Sequence, residues 1–204
     1  MSKLVLITGA GTGIGRNIAE TLANQGNSII LCGRNLDKLE ETKSNLQNPS
    51  SHSTHSCDIR KVGDVQSVLE KNNVKSLYGL VANAGIGGEN TYGENDRWRE
   101  VIDTNLTGTY QTVQECLPYL KKDPAPFKKV VILSSILARL GVPGYSAYCA
   151  SKAGLLGLTR SFQRTLSRLG QHRDGSGRDR RFCGRIKSHK RTSLSGSDEA
   201  GATR

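Results

Sequence analysis

No apolar run in the 204-residue sequence approaches the roughly 20 residues that a membrane-spanning helix needs. The N-terminal stretch MSKLVLITGAG has one Lys and then a strand-length apolar run ending in glycines. It is too short for a signal-peptide core and carries no cleavage pattern, so a cytoplasmic protein is expected. The five cysteines, Cys32, Cys57, Cys116, Cys149 and Cys183, form no C-x-x-C pair and no metal-ligand spacing, and their number is odd. They read as free thiols of a reducing compartment, with neither a disulfide framework nor a metal site expected.

Apolar content is low for a chain long enough to build a sizeable core, and it is unevenly spread. Charge is uneven too. Of the net +11, residues 1–160 carry 18 basic against 14 acidic side chains, and residues 161–204 carry 11 against 4. The basicity belongs mainly to the C-terminal segment.

No internal repeat is visible beyond an alternation of short apolar runs with stretches of helical period. KLVLIT (3–8) has a buried-strand pattern, and IGRNIAETLANQG (14–26) reads as an amphipathic helix closed by Gly26. Strands follow at 27–33, more weakly at 52–59, at 76–85 and at 128–136. Helices are expected over 36–46, with Asn35 as cap, over 62–72, over 96–121 and from 146 onward. Five strands joined by connections too long for hairpins imply an α/β fold: a doubly wound parallel sheet, Rossmann-like, with right-handed crossovers. Ligands bind such sheets at the carboxyl ends of the strands, so the residues just after each strand carry the functional expectation.

Thr8–Gly15, TGAGTGIG, follows the first strand and opens directly into a helix. Gly9, Gly13 and Gly15 allow a tight turn and close approach of a pyrophosphate, and the helix start offers free N–H groups and a positive dipole end. The spacing is G-x-x-x-G-x-G. CDI (57–59), NAG (83–85), NLTGTY from Asn105, the serine pair 134–135 and YCASK (148–152) follow in order, with Ser135 thirteen residues before Tyr148. Y-x-x-x-K alone says little, since six Tyr and thirteen Lys give roughly 0.4 chance occurrences. Order and position together are specific.

The set resembles the short-chain dehydrogenase/reductase family, over about residues 3–169. The resemblance implies an NAD(P)-dependent oxidoreductase that moves hydride between a nicotinamide and a carbonyl or secondary alcohol. The 3-oxoacyl-thioester reductases are the nearest subgroup in motif style. It implies Ser135, Tyr148 and Lys152 as catalytic residues, with Asn105 holding a water that relays protons to Lys152. Ser135 and Tyr148 also face substrate. It implies cofactor contacts from Gly9, Thr12, Gly13, Ile14, Gly15, Arg34, Asp58, Ile59, Asn83, Tyr148 and Lys152, and dimerisation through helices 96–121 and 147–169.

The chemistry has a basis in spacing as well. Tyr148 and Lys152 are one helical turn apart on one face, so the ammonium can draw the phenol's pKa toward working pH and the phenol can exchange a proton with a carbonyl oxygen. The Ser135 hydroxyl can stabilise charge on that oxygen. The bland alternatives are a helix-surface role for Asn105 and a strand-end cap for Ser135. Tyr145, a rival phenol, has Cys149 rather than Lys at i+4. Where an acidic residue would pair with an NAD ribose, at the end of the second strand, the chain has Gly33 and Arg34; this favours NADP(H), with NAD(H) still possible. Thr12, where some relatives carry a second basic residue, adds nothing to that preference.

The resemblance stops near residue 169. Relatives continue with a sixth strand and a substrate loop, whereas 170–204 is rich in Arg, Gly and Ser, without a strand-length apolar run. A division into a nucleotide-binding domain, 1–169, and a basic, disordered tail, 170–204, is expected. Three origins fit the tail: a nucleic-acid arm, a natural solvated tail, or a change of reading frame near codons 168–171. Phe182 is the lone aromatic of 171–204, which weighs against base stacking and a nucleic-acid partner. The abrupt change of composition favours the altered frame. The alternative function is therefore an impaired product that keeps the nucleotide-binding motifs, with a tail able to touch polyanions and with the fifth strand left as a sheet edge.

Overall fold

The structure, a computed structural model, describes residues 2–125 and 128–169. The expected tail, 170–204, lies outside these residues.

Among the described residues five strands pair in parallel: β1 (Leu4–Thr8), β2 (Ser28–Gly33), β3 (Ser53–Ser56), β4 (Gly79–Ala82) and β5 (Lys129–Ile132), in the order β3-β2-β1-β4-β5. The strand order reverses at β1, which is flanked by β2 and β4. Among the described residues six α-helices connect or follow them: α1 (Gly13–Asn24), α2 (Leu36–Ser44), α3 (Asp64–Lys71), α4 (Trp98–Ile102), α5 (Gly108–Lys122) and α6 (Ser146–Leu169). This is the doubly wound α/β sheet read from the alternation. Among the described residues no helix is long and apolar enough to cross a membrane.

The unbroken apolar run of β1 has a direct cause. Leu6 packs on one face with Ile30, Leu80, Val113 and Leu120. Val5 and Ile7 pack on the other with Ala19, Ala23, Leu31 and Leu39. A strand covered on both sides alternates between two cores, and each fully buried Leu or Ile contributes about 1.5–3 kcal/mol. At the β3 edge the strand is short and polar, with none of its residues buried. At the other edge, β5 leaves Val131 47% exposed, and no strand lies beyond it among the described residues.

Two helix signals hold in detail. The Asn35 side chain accepts from the Lys38 N–H at 3.0 Å, and Gly26 follows α1 at φ +79°. The strands β4 and β5 end earlier than their apolar runs suggest. After Ala82 the chain leaves the ladder because Asn83 Nδ2 donates to the Thr8 and Gly9 carbonyls at 3.0 and 3.2 Å. β5 pairs only with β4 among the described strands, Ala82 opposite Ile132, so it ends there too. The helix expected over 96–121 is α4 and α5 joined by a π-helical turn at Asp103–Thr107, and that turn contains Asn105. Periodicity does not register a π turn, which inserts one residue into an otherwise helical pattern.

Candidate active site

The carboxyl ends of β1, β2, β4 and β5 open onto a cavity of about 530 Å³. Its floor is the glycine turn. Gly9 (φ +67°) and Gly13 (φ +51°) adopt left-handed backbone. A β carbon at Gly13 would meet nothing within 4 Å, so that side of the turn is open to the cavity. At Gly15 the reason for glycine differs: a β carbon would fall 2.1 Å from the Gly9 carbonyl oxygen. Thr12 occupies the N-cap of α1 without a side-chain cap bond, and the first turn holds no acidic residue. The free N–H groups and positive end of α1 therefore face space that suits a phosphate.

Of the residues expected to bind cofactor, Gly9, Thr12, Gly13, Ile14, Arg34, Asp58, Ile59, Asn83, Tyr148 and Lys152 all line this one cavity. Gly15, Asn105 and Ser135 do not. Gly15 packs beneath the turn. Asn105 is fully buried; its Oδ1 accepts from the Ile86 N–H at 2.8 Å, and its Nδ2 donates to the Ile86 carbonyl at 2.8 Å and to Ser151 Oγ at 3.1 Å. That side chain is engaged by Ile86 and Ser151, which fixes it at the π turn between α4 and α5. Ser135 Oγ accepts from the Leu137 N–H at 3.2 Å, the strand-end cap that was its bland alternative. A hydroxyl that accepts keeps its own proton free to donate. Tyr145 also stays outside the lining, whereas Ser134 is part of it.

Tyr148 and Lys152 meet the cavity from the first two turns of α6. Lys152 is 6% exposed; its Nζ lies 5.6 Å from the centroid of the Tyr148 ring and donates to the Leu133 carbonyl at 2.9 Å. Burial lowers the ammonium's pKa from its ordinary 10.5. Ser134 Oγ donates to the Lys152 carbonyl at 2.9 Å and so ties the end of β5 to α6.

On the opposite side, Arg60 clasps Asp58, with Nη2 2.6 Å from Oδ2 and Nε 2.9 Å from Oδ1. These bonds hold the Asp58 carboxyl down at about 2. Arg34 forms no ion pair among the described residues and faces the same cavity as Lys38 and Arg60.

Several contributors escape motif reading. Thr8, nine-tenths and more buried, accepts from the Asn83 and Ala84 N–H groups at 3.2 and 3.1 Å and joins the ends of β1 and β4. Arg16 donates to the Gly11 carbonyl at 2.8 Å and to Glu41 at 2.9 Å, propping the glycine turn against α2. Glu115 of α5 accepts from the Gly63 and Gln66 N–H groups at 2.7 and 2.8 Å, capping α3 from across the fold. Only the position of Thr8, directly before the glycines, is a local signal. Glu41, the side-chain partner of Arg16, is 25 residues away, and the partners of Glu115 are 52 and 49 residues away.

Residues 3–170 match the family model described as short chain dehydrogenase. The 3-oxoacyl-acyl-carrier-protein reductase of Staphylococcus epidermidis is 33% identical over 178 residues, covering 83% of this chain and 71% of its own. The enzyme of the same name from Staphylococcus aureus matches to the same extent. Among solved structures, the actinorhodin polyketide ketoreductase with NADPH has a TM-score of 0.75 at 28% identity, covering 83% of this chain and 67% of that one. The carveol dehydrogenase of Mycobacterium avium in complex with NAD has a TM-score of 0.76 at 28% identity, with 82% and 66% coverage. The family match ends at the residue where the motifs give way to the basic tail. With a doubly wound sheet, an anion-receptive glycine turn and a Tyr–Lys pair around one cavity, this chain belongs to the short-chain dehydrogenase/reductase family and is an NAD(P)-dependent oxidoreductase.

Proposed function

We propose that the chain is an NADP(H)-preferring carbonyl reductase or alcohol dehydrogenase, reversible in direction, with 3-oxoacyl thioesters as its first substrate class to test. The observation that carries this reading is the convergence of Tyr148 and Lys152 on the cavity whose floor is the glycine turn. A bound nicotinamide dinucleotide supplies or accepts the hydride. Gly9, Thr12, Gly13 and Ile14 hold its phosphates, and Asp58, Ile59 and Asn83 line the rest of its cleft. Tyr148 donates its phenolic proton to the carbonyl oxygen in reduction and takes it back in oxidation. The Lys152 ammonium beside the ring favours negative charge on the phenol oxygen as the proton leaves. Ser135 donates its free proton to the same substrate oxygen.

The NADP(H) preference rests on Arg34. It stands where an acidic residue would select NAD, and Lys38 and Arg60 line the same cavity, so a 2′-phosphate meets cations without displacing an ion pair of Arg34. Titration by NADPH and NADH fluorescence tests it. Wild type is expected to bind NADPH at least about tenfold more tightly, and Arg34→Glu to reverse the order. Equal affinities would overturn the preference, while loss of turnover in Tyr148→Phe with acetoacetyl-thioester tests the chemistry separately.

A second reading, nucleotide binding with slow turnover, is supported by the position of Ser135 outside the cavity lining. Saturable NADPH binding with no NADPH oxidation by any 3-oxoacyl thioester or simple ketone would select it. For the homo-oligomer, Trp98 and Tyr110, each 46% exposed on α4 and α5, offer apolar contact, and light scattering of the purified chain tests it. A cytoplasmic location fits Cys32, Cys57, Cys116 and Cys149, all free thiols.

A further inference from the structure

Segment 86–97 follows β4 and touches the site at both ends. Its first residue, Ile86, is bonded in both directions to the Asn105 side chain. A β carbon on Gly87 would come within 3.7 Å of the Tyr148 ring, and Arg97 donates to the Gly87 carbonyl at 3.3 Å. Between these contacts lies Asn90, outside the cavity and only 7% exposed. Asparagines of connecting segments are mostly solvated, so a buried one needs partners.

Asn90 has them, and they lead to the start of α6. Its backbone N–H donates to the Gly144 carbonyl at 2.6 Å. Its Oδ1 accepts from the Ala147 N–H at 3.0 Å, and its Nδ2 donates to Asp96 Oδ1 at 2.6 Å. Asp96 Oδ1 also accepts from the Trp98 N–H at 3.0 Å, which links the contact to the start of α4. Ala147 is in the first turn of α6, where an N–H has no carbonyl of its own helix to meet; Asn90 provides the acceptor from 57 residues away. The next residue is Tyr148.

We propose that Asn90 is a positioning residue. It pins the first turn of α6 to segment 86–97 and thereby sets where the Tyr148 phenol stands relative to the Ile86–Gly87 backbone and the cavity. This rests on the reading of Tyr148 as the proton donor. Asn90 itself touches neither substrate nor cofactor. A displacement of about 1 Å at a reacting group can cost about a hundredfold in rate, so a loosened first turn is felt in turnover before it is felt in the fold.

The test combines kinetics with hydrogen exchange. Asn90→Ala is expected to lower kcat about tenfold or more, to leave the NADPH Kd within about twofold, and to speed amide exchange at least about tenfold in a peptide covering 144–149. Asn90→Asp keeps the acceptor for Ala147 but sets a second carboxylate against Asp96, and it is expected to lose kcat as well. Asn90→Asp combined with Asp96→Asn restores the pair with donor and acceptor exchanged, and kcat is expected to return to within about threefold of wild type. An unchanged kcat alongside faster exchange would reduce Asn90 to a helix cap and overturn the proposal. Unchanged exchange at 144–149, or no recovery in the double variant, overturns it as well. If wild type turns over no 3-oxoacyl thioester or ketone, the reading of Tyr148 fails. The exchange result then decides the pin alone: faster exchange confined to 144–149 supports it, and unchanged or global exchange sinks it.

Discussion

Gly13 and Gly15 belong to one motif yet are glycine for different reasons, and replacing each by Ala separates the two. At Gly15 an added β carbon would lie 2.1 Å from the Gly9 carbonyl oxygen and 2.5 Å from Asn83 Nδ2. A carbon and an oxygen normally approach to about 3.3 Å, so the overlap exceeds about 1 Å. The obstacle is backbone at the end of a buried strand, which cannot swing aside as a long side chain can. Relief requires α1 to withdraw from β1, where Ala19 and Ala23 pack against Val5 and Ile7. Overpacking a core costs about 1–3 kcal/mol, and an immovable neighbour puts Gly15→Ala near about 3 kcal/mol, or a Tm lower by about 6–12 °C.

At Gly13 an added β carbon meets nothing within 4 Å, but the residue sits at φ +51°. Gly13→Ala therefore carries the left-handed backbone penalty of about 1 kcal/mol and a Tm drop of about 2–4 °C. Its methyl group projects into the space left for the nucleotide, so NADPH affinity is expected to fall at least about tenfold. Thermal melts by circular dichroism and NADPH fluorescence titrations read the two effects separately. A wild-type Tm for Gly15→Ala, or wild-type NADPH affinity for Gly13→Ala, refutes this division of roles.

Lys152→Met is expected to abolish turnover while leaving Tm unchanged or higher near neutral pH, because a buried ammonium is exchanged for an apolar chain of similar length. Burial lowers the folded-state pKa of Lys152 below 10.5, so the unfolded chain binds more protons between those two values and wild-type stability rises with pH across that window. Subtracting the variant's melting curve from the wild type's on the alkaline side up to pH 10.5 should isolate that rise, and a flat difference would contradict it. Glu115→Ala leaves the Gly63 and Gln66 N–H groups uncapped and should cost about 1–2 kcal/mol in urea unfolding, with no change in m-value. For Asp58 the carboxyl is held from its ordinary 3.8 down to about 2, so its contribution is present above about pH 4 and is lost as pH falls through about 2. Asp58→Asn should flatten that stretch of the acid limb of the melting curve, and an unchanged limb would show that the Arg60 clasp does not act in solution.

Local pattern was enough for the layering of the fold. Strands that alternate with helices, and that are apolar throughout, can satisfy their faces only between two helical layers, and KLVLIT reads that way before any coordinate is known. The motifs were legible for a related reason. A glycine turn, a capping asparagine and a Tyr–Lys pair one turn apart depend on bonds between residues a few positions apart, so order and spacing carry them.

What lay beyond the sequence are bonds between distant segments. That Asn105 is committed to Ile86 and Ser151, that Glu115 caps α3, and that Asn90 completes the first turn of α6 depend on which distant segments the fold brings together. The early end of β4 has the same origin, since the Asn83 side chain bonds across the fold to the Thr8 and Gly9 carbonyls and overrides the local period. The sequence by itself determined the family, the sheet and the chemical types gathered at its edge, because hydrophobic period and motif spacing are short-range properties. Only the tertiary structure decided which of those groups face the cavity and which are consumed in holding it, because a hydrogen bond goes to whichever partner packing brings within about 3 Å.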